Sequence, residues 1–148
     1  MNRISLLLVL LLLSVTTTFG QSTDKRIYGT WTCSYRTNDD GILNNITWTF
    51  NQDGTGSFKN IASSAEKNGL VCTRTYSFTW KVNKNGQIVN TNGVGHCKCT
   101  TTGGQSSSEL ASIEAATANS MSREQEVYDI EFESNTIMVM GGVRTKKN

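Results

Sequence analysis

Asn45-Ile46-Thr47-Trp48-Thr49-Phe50-Asn51-Gln52-Asp53-Gly54-Thr55 alternates apolar and polar side chains for six residues and then breaks at a turn dipeptide. Period two places Ile46, Trp48 and Phe50 on one face and Asn45, Thr47 and Thr49 on the other, the pattern of a half-buried strand. Asp53-Gly54 suits a tight hairpin, because a type I′ turn needs positive φ at both central residues. The next strand then runs from Thr55 to about Ile61.

The same grammar extends in both directions. Tyr28 to Arg36 sets Trp31, Cys33 and Tyr35 against Thr32, Ser34 and Arg36, and Asn38-Asp39-Asp40-Gly41 ends the run. Asn68-Gly69 leads into Val71 to Val82, the longest strand candidate, with Cys72, Tyr76, Phe78, Trp80 and Val82 on one face. Asn85-Gly86 turns it into Gln87 to Thr91. Glu126 to Glu133 faces Tyr128, Ile130 and Phe132 inward and Asp129, Glu131 and Glu133 outward. Ser134-Asn135 then leads to Thr136 to Met140, Gly141-Gly142 and Val143-Arg144. Between the halves, Asn92 to Gln105 is rich in Gly and Thr and shows no period. Ser106 with Glu109 resembles a capping box opening an Ala-rich helix, residues 107–119, with Leu110, Ile113 and Ala116 on one face. The same segment also reads as an irregular strand.

About eight short strands joined by tight turns predict an all-β, antiparallel fold that must hide its edges. An up-and-down barrel does so by closure, and a two-sheet sandwich is the alternative.

The chain has 148 residues, 36% of them hydrophobic and 18% charged, with a net charge of +2, one His, four Cys and no Pro. This is the composition of one ordered domain. Its charge is too small for the broad positive field of a nucleic-acid binder, and no nucleic-acid partner is expected. Charge is unevenly spread, since residues 109–133 hold seven acids and one base. Arg3, the apolar run Leu6 to Leu13 and the small residues Ser14 to Gly20 form a secretory signal pattern over residues 1–20. That run is too short for a membrane span, which takes about 20 residues. The expectation is a secreted or extracellular domain over residues 21–148, or a periplasmic one if the source is bacterial.

Export favours disulfides. Cys97 and Cys99 would form a very tight ring with each other. Cys33 and Cys72 are therefore each expected to pair with one of them, in either combination. His96, Cys97, Cys99 and Cys72 have the ligand types for zinc, but the spacing lacks the C-x₂-C form and bridges compete for the sulfurs, so no metal is expected. No cofactor is expected either. The chain has no G-x-S-x-G elbow and its lone His has no identifiable carboxylate partner, which argues against an enzyme. Asn45-Ile46-Thr47 is an N-glycosylation sequon with Asn45 pointing outward.

Gly29-Thr30-Trp31 at the start of the first strand resembles the G-x-W element of lipocalins and the wider calycin group. Trp48-Thr49-Phe50 with Asp53-Gly54-Thr55-Gly56 is similar to a pattern common in small lipocalin-like secreted domains. The T-D-Y type loop motif of lipocalins is absent. The resemblance implies a calycin-like barrel in which Trp31 plugs one end and Arg144 lies across its indole as a cation–π cover. Gly-x-Trp-Thr and the ending Arg144-Thr145-Lys146 are also similar, more weakly, to avidin-like barrels.

Arg74 interrupts the apolar face of the long strand two residues before Tyr76. A buried cation needs an acidic partner, a bulge that turns it outward, or a ligand carboxylate, unless this end of the strand reaches solvent, and the Arg-x-Tyr pair resembles the carboxylate clamp of fatty-acid-binding barrels. The aromatics Tyr35, Trp48, Phe50, Phe58, Tyr76, Phe78 and Trp80 either line a cavity or fill the barrel. The expected ligand-binding set is Arg74, Tyr76, Trp48, Phe50, Phe78 and Trp80, serving a small apolar or amphipathic molecule. The competing expectation is a secreted inhibitor or effector with a filled barrel, acting on a protein partner through its surface loops.

Overall fold

The structure is a computed structural model and describes residues 24–64, 69–122 and 125–148. The segment read as a secretory signal lies outside the described residues. The elements are β1 (Gly29–Arg36), β2 (Leu43–Phe50), β3 (Thr55–Ser64), β4 (Leu70–Val82), β5 (Ile88–Asn92), β6 (His96–Thr100), α1 (Ser107–Met121), β7 (Glu126–Tyr128), β8 (Ile130–Ser134), β9 (Ile137–Met140) and β10 (Val143–Lys147). The strands form one antiparallel sheet in the order β7-β5-β4-β3-β2-β1-β10-β9-β8, with β6 also paired to β4. Its two ends, β7 and β8, are separated in the chain by Asp129 alone, so the sheet curls into a nearly closed barrel.

Two strands are interrupted. β5 and β6 run along the same neighbour, with Asn92 opposite Phe78 and His96 opposite Thr75. Four steps on one side match three on the other, which makes a bulge of one residue. Joined across this bulge and across Asp129, the ten strands reduce to the eight of the expected up-and-down barrel.

Sequence period and turn chemistry account for the ladders. Phe50 sits opposite Gly56 across the Asp53-Gly54 hairpin, whose Gly54 has φ 81°. Glycine at position 56 lets the strand pass the Phe78 ring, since a Cβ there would lie 2.2 Å from it and force a shift.

Alternation sends one set of side chains inward. Trp31, Phe50, Ile27, Ile88, Met138 and Met140 are essentially inaccessible, and Trp48, Phe78 and Trp80 pack with them. Trp31 donates its indole N–H to Ile27 O at 2.7 Å, which satisfies the one polar atom of the plug.

The helix is real, and its capping box forms: Glu109 N donates to Ser106 Oγ and Ser106 N to Glu109 Oε2. Its inner face differs from the expected one. Ala116 is exposed, and the half-buried positions are Leu110, Ile113, Glu114, Thr117, Ala118 and Met121. The helix lies along β6, where it seals a stretch of wall with side chains: Cys99 N donates to Glu114 Oε1 (2.8 Å) and Gly95 N to Ser122 Oγ (3.1 Å). The inner face therefore combines Leu110, Ile113, Ala118 and Met121 with the polar Glu114 and Thr117. A Cβ on Gly95 would come within 2.9 Å of Met121 and Ala118, so glycine permits the close approach.

Candidate ligand-binding site

β4 contains no bulge between Leu70 and Thr79, so Arg74 keeps its inward register, opposite Asn60 on β3 and Cys97 on β6. Arg74 is half-buried, so part of its side chain still reaches solvent, and the outward bulge does not occur. Nor does Arg74 have an ion-pair partner among the described residues: the salt bridges there are Asp24–Arg26, Glu114–Lys98 and Glu133–Arg144. Its Nε is buried without a hydrogen-bond acceptor.

Arg74 and Tyr76 share a concavity of about 230 Å³ with Phe58, Ser120, Met121, Glu126 and Tyr128. β3 and β4 supply one wall, the end of α1 a second and β7 the third. Phe58 stacks on Tyr76 with ring centroids 4.7 Å apart. Tyr76 Oη (3.2 Å) and Tyr128 Oη (2.6 Å) both donate to Glu126 Oε2. Burial, and then the charges of Tyr128 and Glu126, push the Tyr76 phenol far above its ordinary value, which keeps it a protonated donor. The arrangement presents a cation, two hydroxyls and a carboxylate between aromatic and thioether walls.

The other expected ligand contacts lie elsewhere. Phe50 meets Phe78 at 5.6 Å and Trp80 at 5.2 Å, and Trp48 meets Phe58 at 5.5 Å, all edge-on or tilted, so these rings fill the barrel beside Trp31. Tyr35, at the end of β1, is 41% exposed. Two inward residues escaped the sequence reading. Asn60 donates its side-chain N–H to Asn44 Oδ1 at 2.9 Å, while its own Oδ1 is buried without a donor. Their signal was available, since the period that turns Trp48 and Phe58 inward also turns Asn44 and Asn60 inward.

Arg144 does not cover Trp31. β10 continues to Lys147, and its inward positions include Thr145, which is buried; Arg144 points outward and bonds Glu133 at 2.8 Å. Lys147, paired in register with Trp31, takes the expected place with Nζ 5.3 Å from the indole.

One disulfide forms, Cys72–Cys99, between directly opposed residues of β4 and β6. The expected second bridge, between Cys33 and Cys97, is absent, and both are free thiols. Register explains this: Cys33, Ile46, Asn60, Arg74 and Cys97 follow one another across five strands. Four inter-strand steps of about 4.8 Å put the two thiols on opposite walls of an eight-stranded barrel, beyond the roughly 7 Å Cα limit of a bridge. Burial raises the Cys33 thiol above its usual range, and Cys97 too, against the lowering influence of Arg74 and Thr117.

Asn45 is exposed on the outer wall. It borders a shallow depression of about 460 Å³ running past Thr32, Ser34 and Thr47 to Arg144 and Lys146. Among the described residues no helix is long and apolar enough to cross a membrane. No protein-family model matches the chain, and no curated protein matches its sequence.

Proposed function

We propose that this protein is a secreted, non-enzymatic β-barrel binding protein whose ligand is a small molecule with an acidic head group. The reading rests above all on Arg74. Its cation faces a concavity without an ion-pair partner among the described residues, and its Nε is buried without an acceptor. A ligand carboxylate would supply what the chain does not, as the acceptor for the Arg74 guanidinium. Phe58, Met121 and Tyr128 offer an apolar surface to the rest of the molecule. The size argues for a compact ligand, because pockets for drug-sized molecules run from about 300 to 1,000 Å³ and this one is about 230 Å³. A long acyl chain has no room beside the packed aromatics. His96, exposed on the outward face of β6, takes no part in this site.

The test is displacement of an environment-sensitive fluorescent carboxylate by small organic acids, compared between the natural chain and Arg74→Ala. Affinity at least tenfold weaker in the variant is expected. Equal affinities would remove the reading. The outer depression with Arg144 and Lys146 supports a second reading, a protein partner docked on the β2-β1-β10-β9 wall. Capture of a protein by the natural chain, lost in Arg144→Glu and kept in Arg74→Ala, would favour it.

A further inference from the structure

The sulfurs of Cys72, Cys97 and Cys99 lie within 4.8 Å of one another, and Cys97 Sγ is 3.8 Å from Cys99 Sγ. Such proximity suits either thiol–disulfide exchange or metal binding, and geometry chooses between them. Displacement at a disulfide sulfur runs in line. Attack by Cys97 on Cys99, with Cys72 leaving, would set the outer sulfurs about 5.8 Å apart, given a normal S–S bond of ~2.0 Å. They are closer than that, so the three sulfurs make a triangle and not a line. Three sulfurs around a tetrahedral zinc at about 2.3 Å are spaced by ~3.8 Å, the separation Cys97 and Cys99 already have.

We propose that Cys72, Cys97 and Cys99, with the Cys72–Cys99 bridge reduced, form a three-thiolate site for one zinc-class divalent cation. The scaffold favours it. All three side chains face inward from adjacent positions of the β4–β6 ladder. Arg74, in register with Cys97, offsets the excess negative charge, because three thiolates, one divalent cation and one guanidinium sum to zero. Glu114 holds the Cys99 amide and so fixes the β6 backbone under the sulfurs. His96 faces outward and is not a ligand. The fourth position belongs to solvent or an added ligand.

Bridge and metal are alternative states of the same sulfurs. A dithiol breaks the Cys72–Cys99 bond, each sulfur gains one electron and one proton, and the dithiol leaves as its cyclic disulfide. Metal binding then releases the thiol protons to solvent.

The test uses full-length chain reduced with a dithiol, freed of it without oxygen, and titrated with cobalt(II) as a spectroscopic stand-in for zinc. One cobalt per chain is expected, with thiolate charge-transfer bands and the visible bands of a tetrahedral centre. Cys33→Ser should bind as the natural chain does, and Cys97→Ser at least tenfold more weakly, while the oxidised natural chain should show no thiolate bands. An unfolded reduced chain would use Cys33 as readily as Cys97. Equal losses in the two variants, an unaffected Cys97→Ser, or no thiolate bands in the reduced natural chain would each overturn the proposal.

Discussion

Two neighbouring rows of inward side chains, one step apart along the strands, differ sharply in chemistry. Trp31, Trp48, Phe58 and Tyr76 form one row, and Cys33, Ile46, Asn60, Arg74 and Cys97 the next. In the first, large rings interlock and nearly every polar atom has a partner, Trp48 Nε1 being the exception. In the second, Asn60 Oδ1 and Arg74 Nε are buried without partners, and the Cys33 and Cys97 thiols are half-buried and unbridged. An unpaired buried polar group costs about 1–3 kcal/mol, so the second row is a place where the fold gives up stability. The first row holds the barrel together, and the second keeps chemistry inside it.

The contrast can be broken most strongly at the plug. Trp31→Ala removes a wholly buried indole and its bond to Ile27 and should cost about 3–5 kcal/mol in urea unfolding; a cost below 1 kcal/mol would show that the aromatic row is not the keystone. Gly56→Ala should cost about 1–3 kcal/mol by overpacking against Phe78, read by the same method. The polar row should answer in the opposite sense. Replacing Asn44 and Asn60 together by Leu removes both partners of their bond and the orphaned oxygen, and such paired replacements are neutral or stabilising. Unfolding free energy should therefore stay level or rise by about 1 kcal/mol.

A pH series sharpens the comparison at the helix. Hydrogen bonding from the Cys99 amide, and then Lys98, holds the Glu114 carboxyl below its ordinary value of 4.5. A depressed folded value gives stability that is present above about pH 4.5 and is lost as pH falls through the folded value. The natural chain should thus lose more stability than Glu114→Gln on acidification below pH 4.5, and parallel curves would contradict the assignment. The smallest effect is expected at Arg144→Ala. Its pair with Glu133 is solvent-exposed and worth about 0.2–1 kcal/mol, whereas an Arg144 covering Trp31 would have mattered more.

The barrel was legible because its evidence is local: period two, Asp53-Gly54, Asn85-Gly86 and a capping box are each read within a few residues. Arg74 was legible as an anomaly in an apolar row. What escaped depends on distance around the barrel. Cys33 and Cys97 look like partners until the register puts them on opposite walls. Arg144 and Lys147 exchange roles because the last strand runs three residues past the visible pattern, and only pairing with β1 decides which cation meets Trp31. β6 is hidden because Gly93 and Gly95 flank a bulge that breaks its period.

The β1–β10 seam has a consequence for how the barrel forms. Nearly every ladder joins strands that follow closely in the chain, but Thr32 reaches Lys146 across 114 positions. Only Trp31 and Thr32 pair with β10, against eight pairs between β1 and β2. Closing so long a loop yields few contacts and pays its entropy late, so the hairpins assemble first as an open, curling sheet. The seam is zipped last, and amide exchange along Thr30–Thr32 should report the first opening of the folded barrel.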